Sequence, residues 1–108
     1  MDDKRKNTTI EFEFFDGEKV ELTLWFYALY QLKAKKKSLY ERYNKIMVKM
    51  QKGTDAYDEL DMITVLYVGY MCADPEEAMS EEDFMYKCGA DRNAVAEAFT
   101  ALVSPKKQ

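Results

Sequence analysis

Hydrophobic residues are densest between Asp61 and Ala73, in the run DMITVLYVGYMCA. Its apolar side chains point in nearly every direction around a helix, which is the pattern of a helix buried on most sides. A buried strand is the alternative, but the run is longer than the roughly 4 to 8 residues of such a strand. It is also shorter than the roughly 20 residues that a membrane span requires. The pattern therefore predicts a core helix around which the rest of the chain packs.

The N-terminal part alternates with a period of two, which is typical of half-buried strands. Residues 8–14 and 18–24 form two such runs, and Asp16-Gly17 lies between them. Asp-Gly is a strong hairpin signal because glycine tolerates the positive φ that a tight primed turn requires. A single hairpin is marginal alone, so one face must pack on helices. That face consists of Ile10, Phe12, Phe14, Val20 and Leu22.

Helical spacing begins near Trp25 and continues to the basic run that starts at Lys33. Ser38 lies three residues before Glu41, and this spacing predicts a capping box that begins a second helix. Gly53 is a natural residue to end that helix, because a C′ position favours a left-handed backbone.

Further caps divide the rest of the chain. Thr54 or Asp55 is predicted to cap the core helix, Ser80 the next helix, and Asp91 the last one, which ends at Ser104-Pro105. The chain is therefore predicted to be a mainly α protein, a small bundle of about five helices with an N-terminal β-hairpin. It forms one domain over residues 1–108, with the hairpin in 8–24, the helices in 25–103 and flexible ends in 1–7 and 104–108.

Composition supports a single globular domain. The 108 residues are 47% hydrophobic and 14% aromatic, enough to bury one core without metals or crosslinks. No apolar segment follows the charged N-terminus MDDKRKNTT, so we expect no signal peptide and a cytoplasmic location. Cys72 and Cys88 have no CxxC spacing and are predicted to be reduced, packed thiols.

The sequence offers no catalytic constellation. Histidine is absent, which removes the commonest general base and the commonest metal ligand. Two acidic pairs, Asp58 with Asp61 and Glu76 with Glu77, are candidates for acid–base chemistry, but they lie in capping or loop segments and are predicted to be solvated. The chain is therefore predicted not to be an enzyme, with no catalytic, cofactor-binding or metal-binding residues.

Charge is distributed unevenly along the chain. Residues 1–53 contain 12 Lys and Arg against 8 Asp and Glu, whereas residues 54–103 contain 2 against 12. A solvated basic helix face is the simplest interpretation, and a pI of about 4.9 argues against a dedicated nucleic-acid binder. A second hypothesis is head-to-tail self-association of the basic and acidic halves. The basic residues are Lys33, Lys35, Lys36, Lys37, Arg42, Lys45 and Lys49.

Eight tyrosines are many for this length, and tyrosine is favoured at interfaces because its hydroxyl tolerates water. Tyr43, Tyr67 and Tyr70 are predicted to lie in the core. The candidates for a partner-binding surface are Tyr27, Tyr40, Tyr86, Lys35, Lys36 and Arg42.

The ordered features together resemble the tail assembly chaperones of long-tailed phages and prophages of Gram-positive hosts. The segments that carry the resemblance are FFDGEKVELTLWFYALYQL, KSLYERYNKIM, DMITVLYVGYMCA, MSEEDFMYKCGADRNAVAEAF and the ending SPKK. The resemblance covers nearly the whole chain from Ile10.

This resemblance implies a helical protein that coats the tape measure protein during tail assembly and recruits major tail tube subunits. It also implies a location in the bacterial host cytoplasm and absence from the mature virion. The alternative from a different class is a small adaptor or regulatory domain that binds a single host protein.

Overall fold

Two strands and five helices follow one another within residues 9–53 and 58–104, which are the residues that the computed structural model describes. The predicted mainly α architecture with an N-terminal hairpin is confirmed. The ends predicted to be flexible lie outside the described residues, except for Ser104. The elements are β1 (Thr9–Glu13), β2 (Lys19–Thr23), α1 (Phe26–Lys35), α2 (Lys37–Gln51), α3 (Glu59–Ala73), α4 (Glu81–Cys88) and α5 (Arg92–Val103).

The core helix is α3, as predicted. Every residue from Ile63 to Met71 is buried, and the side chains of Val65, Leu66 and Val68 are fully inaccessible. Helix α3 contacts β2 and each of the other four helices, which explains why apolar residues are needed on all its sides.

The start of α3 lies later than predicted. Its N-cap is Asp58, whereas Thr54 and Asp55 lie outside the described residues. A carboxylate oxygen of Asp58 accepts a hydrogen bond from the Asp61 N–H at 2.9 Å, and the Asp61 carboxylate accepts from the Asp58 N–H at 3.2 Å. This reciprocal capping box satisfies two donors at once. It also confirms that the Asp58–Asp61 pair is a solvated cap.

The hairpin turn differs from the predicted tight primed turn. Glu13 pairs with Lys19, and the N–H of Gly17 donates to the carbonyl of Phe14 at 3.0 Å. Gly17 has φ of 90°, but no other residue of the turn has positive φ, which excludes the two-residue turn that needs positive φ at both centres. Glycine is still required, at the end of the turn instead of its centre.

The predicted face of the hairpin packs on the helices. Phe12, Phe14 and Leu22 are buried, and Ile10 and Val20 are partly buried against the same core. The sheet is antiparallel and two-stranded, and α3 and α5 cover it.

Gly69 allows β2 and α5 to approach α3 closely. A Cβ atom at this position would lie 2.9 Å from Leu102 Cδ2 and 3.2 Å from Leu22 Cβ, so a side chain would displace the end of Leu102 and crowd Leu22. Thr23, which the alternating pattern placed on the solvent face, is buried here at the end of β2. Tertiary contact with α3 overrides the local period of two.

The joint between α1 and α2 is shorter than predicted. Only Lys36 separates the two helices; its N–H donates to the carbonyl of Leu32, and its carbonyl accepts from the N–H of Tyr40. Ser38 therefore lies inside the first turn of α2, and no side chain caps this helix. The capping-box prediction at Ser38 was wrong because the N-cap position is occupied by Lys36, two residues earlier. The predicted end at Gly53, with φ of 72°, is confirmed.

The last two helices begin at their predicted caps. Ser80 accepts from the N–H of Asp83, and Asp91 accepts from the N–H of Ala94. The preceding loop is held by two core tyrosines, because the Tyr67 hydroxyl donates to the Met79 carbonyl and the Tyr70 hydroxyl accepts from the Met79 N–H, both at 2.9 Å.

Candidate partner-binding surfaces

Helix α1 exposes an unusual amount of aromatic surface. The exposed fractions are 86% for Phe26, 68% for Tyr30, 59% for Tyr27 and 37% for Trp25. Leu29 and Leu32 turn toward the core from the same helix, so α1 is apolar on both its inner and its outer side. The rings of Trp25, Tyr27 and Tyr30 lie next to one another, and an exposed cluster of aromatic side chains is a candidate interaction site. We call these four aromatic residues the α1 surface.

A groove of about 420 Å³ lies beside this surface, between α1 and the C-terminal end of α3. Tyr27, Lys35 and Lys36 line it together with Met71 and Cys72. The structure therefore brings three of the six predicted partner-binding residues to one place. Glu76 lines the same groove, so it combines apolar side chains with charges of both signs, a lining that suits an amphipathic segment.

A second groove of about 420 Å³ lies on the other side of α1, against α2. Phe26 and Tyr30 line it with Tyr40 and Met47. Tyr40 is half-buried, and the ammonium group of Lys33 lies 5.5 Å from the centre of its ring. Tyr40 thus contributes to the wall of this groove as well as to the packing of α2.

The guanidinium of Arg42 is paired within the fold. It makes two hydrogen bonds to the Glu81 carboxylate, at 2.9 and 2.7 Å, and a third to the Thr64 hydroxyl at 3.4 Å. The hydrogen bond to Glu81 raises the pKa of Arg42. This bidentate pair ties α2 to the first turn of α4, a role in the fold that its position in a basic run did not suggest.

Tyr86 belongs to a separate surface. It is 73% exposed on α4, and its ring meets that of Phe15 from the hairpin turn, with the ring centres 5.6 Å apart. Tyr43, Tyr67 and Tyr70 are buried, as predicted.

The two thiols are packed side chains. Both cysteines are free, and burial raises the pKa of Cys72 to about 12 and that of Cys88 to about 11. A thiol with such a pKa is almost entirely protonated at neutral pH and is a poor nucleophile. The prediction of reduced, packed cysteines is confirmed.

Sequence patterns missed four of the exposed aromatic residues, namely Phe15, Trp25, Phe26 and Tyr30. The helical spacing that begins at Trp25 groups Trp25, Phe26 and Tyr30 with the inward-facing Leu29, and the alternating pattern does not place Phe15. The available signal was the width of the apolar pattern in α1, because aromatic residues on both flanks of a stripe cannot all face one core.

Comparison with known proteins finds no protein-family model, curated protein or solved structure that matches the chain significantly. No helix in the described part of the chain is both long and apolar enough to cross a membrane. Within residues 9–53 and 58–104, no group of three or more Cys, Asp or Glu side chains is placed to hold a metal ion.

Proposed function

We propose that this protein is a tail assembly chaperone that binds the tape measure protein, keeps it soluble and recruits major tail tube subunits. The observation that carries the proposal is the α1 surface with a groove on each side. The resemblance described above supplies the identity of the client. The activity would take place in the cytoplasm of the bacterial host, and the chaperone would be absent from the mature virion.

The chemistry of the α1 surface suits a helical client with apolar side chains. Aromatic rings contribute large contact areas at low entropic cost, and tyrosine hydroxyls remain hydrated while the client is absent. Met47 and Met71 line the two grooves, and flexible thioether side chains adapt to clients of varying shape. Many weak identical contacts along one client would give avidity and still allow the chaperone to leave.

Co-expression with fragments of the tape measure protein from the same genome tests this proposal. We expect the fragments to be soluble and to co-elute with the chaperone. Replacing Phe26 and Tyr30 together with serine should reduce the soluble client several-fold, because truncating exposed aromatic anchors removes the main contact area. Both side chains are largely exposed, so the thermal midpoint of the chaperone should change little.

The matched control is Tyr86→Ser, which removes an equally exposed tyrosine from a different surface. This variant should keep the client soluble. Client fragments that are equally insoluble with and without the chaperone would contradict the proposal and favour the alternative, a small adaptor that binds a single host protein.

We also propose head-to-tail self-association of the chaperone, driven by its uneven charge. Lys35, Lys36 and Lys37 are exposed at the α1–α2 joint, whereas Asp91 and Glu97 are exposed at the start of α5 and within it, and no residue of α5 lines the groove of these lysines. Opposite charges on different surfaces of one chain favour contacts between unlike surfaces, which generate rings or filaments.

Sedimentation velocity over a range of salt concentrations measures this association. We expect the average mass to fall as salt rises, because the screening length shortens from roughly 10 Å at 0.1 M to roughly 3 Å at 1 M. The double variant Lys35→Gln, Lys36→Gln should weaken association more than Lys19→Gln on β2. A monomer at every salt and protein concentration would refute self-association, and an oligomer insensitive to salt would require an apolar interface.

A further inference from the structure

The pair formed by Phe15 and Tyr86 is a second exposed aromatic feature, remote in sequence from the α1 surface. Phe15 is 60% exposed and Tyr86 is 73% exposed. Their rings meet edge to face, with an interplanar angle of 77°. One ring comes from the hairpin turn and the other from α4, so the fold itself assembles this pair at the surface. We call it the aromatic pair.

Several contacts hold the aromatic pair in place. The backbone N–H of Phe15 donates to the carbonyl of Lys87 at 3.1 Å. The Lys87 ammonium donates to Asp16 at 3.2 Å and to Glu18 at 2.6 Å, which fastens α4 to the turn a second time. Gly89 has φ of 70°, and a Cβ atom there would lie 3.1 Å from the Cβ of Phe15. Because these contacts fix the backbone on both sides, a partner would meet a surface that is already ordered.

The surroundings of the aromatic pair are acidic. Glu82 and Asp83 lie one helical turn before Tyr86 and are exposed, and neither carboxylate forms an ion pair within the described part of the chain. Lys87 follows Tyr86 in α4, and its ammonium group is shared between two carboxylates, those of Asp16 and Glu18. The charge around the two rings is therefore negative overall.

We propose that the aromatic pair is a docking site for a basic, apolar helix of a protein partner. Lysine or arginine side chains of such a helix would lie over the ring faces and beside the carboxylates of Glu82 and Asp83, while its apolar side chains cover Phe15 and Tyr86. The groove between α1 and α3 differs, because two lysines and one glutamate line it. The protein thus has two candidate docking surfaces that differ in charge, and the second does not depend on the identity of the client of the first.

A pair of synthetic peptides tests the proposal with the full-length protein. One fluorescein-labelled helical peptide contains leucine and arginine, and the matched peptide has glutamate at every arginine position. Fluorescence anisotropy should show binding of the arginine peptide and at least roughly tenfold weaker binding of the glutamate peptide. The double variant Phe15→Ser, Tyr86→Ser should weaken binding of the arginine peptide by roughly tenfold or more. Tyr86→Ser alone should weaken it in the same direction, and this variant leaves the hairpin turn unchanged.

Two matched variants separate this site from general attraction of cations to an acidic protein. One is the double variant Glu82→Gln, Asp83→Asn, and the other is the double variant Glu76→Gln, Glu77→Gln. Both change the net charge equally, but only the first removes carboxylates next to Tyr86. The first should weaken peptide binding and the second should not. The double variant Phe26→Ser, Tyr30→Ser should also leave binding of the arginine peptide unchanged.

Several results would overturn the proposal. Equal affinity for the two peptides, equal loss from the two carboxylate variants, or absence of binding of the arginine peptide would each exclude a specific basic site. If the Phe15→Ser, Tyr86→Ser variant instead abolishes self-association in sedimentation and leaves peptide binding intact, the occupant is a second copy of this chain.

Discussion

Replacing Leu66 with alanine should lower the free energy of unfolding by about 2 to 5 kcal/mol. Leu66 is fully inaccessible at the middle of α3, and this helix is contacted by β2 and by the four other helices. Because the elements around α3 also pack against one another, no single neighbour can shift to fill the space left by the isobutyl group of Leu66. Chemical denaturation followed by circular dichroism measures the change in midpoint.

Leu60→Ala is the matched control for this prediction. Leu60 lies on the same helix, but it is 58% exposed, so its replacement should change the free energy of unfolding by no more than about 0.5 kcal/mol. A loss of 2 to 5 kcal/mol is a large part of the roughly 5 to 15 kcal/mol that stabilises a typical domain. If the two variants unfolded at the same denaturant concentration, α3 would not be the core of the protein.

Local signals in the sequence predicted most of the fold. The dense apolar run identified α3. The predicted caps at Ser80 and Asp91 are confirmed, because each side-chain oxygen accepts a hydrogen bond from the N–H three residues later in its own helix. The prediction at Ser38 used the same rule and was wrong. There α2 begins at Lys37, directly after the joint at Lys36, so Ser38 is the second helical residue and does not occupy the N-cap position from which a side chain caps a helix.

The candidate surfaces were only partly predictable. Residue types identified Tyr27, Lys35 and Lys36, and the fold brings them to one groove. Periodicity could not distinguish the inner from the outer side of α1, because both sides carry apolar residues. The pair of Arg42 with Glu81 depends on contacts between residues far apart in sequence, which no local pattern encodes. The aromatic pair of Phe15 and Tyr86 also joins residues far apart in sequence, so no local pattern predicts it.

Replacing Phe84 with alanine should have a still larger effect, a loss of about 3 to 5 kcal/mol in the free energy of unfolding. Phe84 is fully inaccessible on α4, and its ring centre lies 5.4 Å from that of Phe14, 5.4 Å from that of Tyr67 and 5.1 Å from that of Tyr70. This one side chain therefore joins the hairpin, the core helix and α4. Removing it forfeits the ring contacts of α4 to the hairpin and to α3, as well as the buried area of the ring itself.

The control for Phe84→Ala is Phe26→Ala, because Phe26 is 86% exposed and its loss should leave the thermal midpoint nearly unchanged. Helix α4 has only eight residues and cannot be stable without tertiary contacts. Hydrogen exchange in the Phe84→Ala variant should therefore speed up most in α4, ahead of α3 and α5. If hydrogen exchange sped up equally in all helices, α4 would unfold only together with the whole domain. An unchanged thermal midpoint of Phe84→Ala would show that Phe84 does not join the three elements.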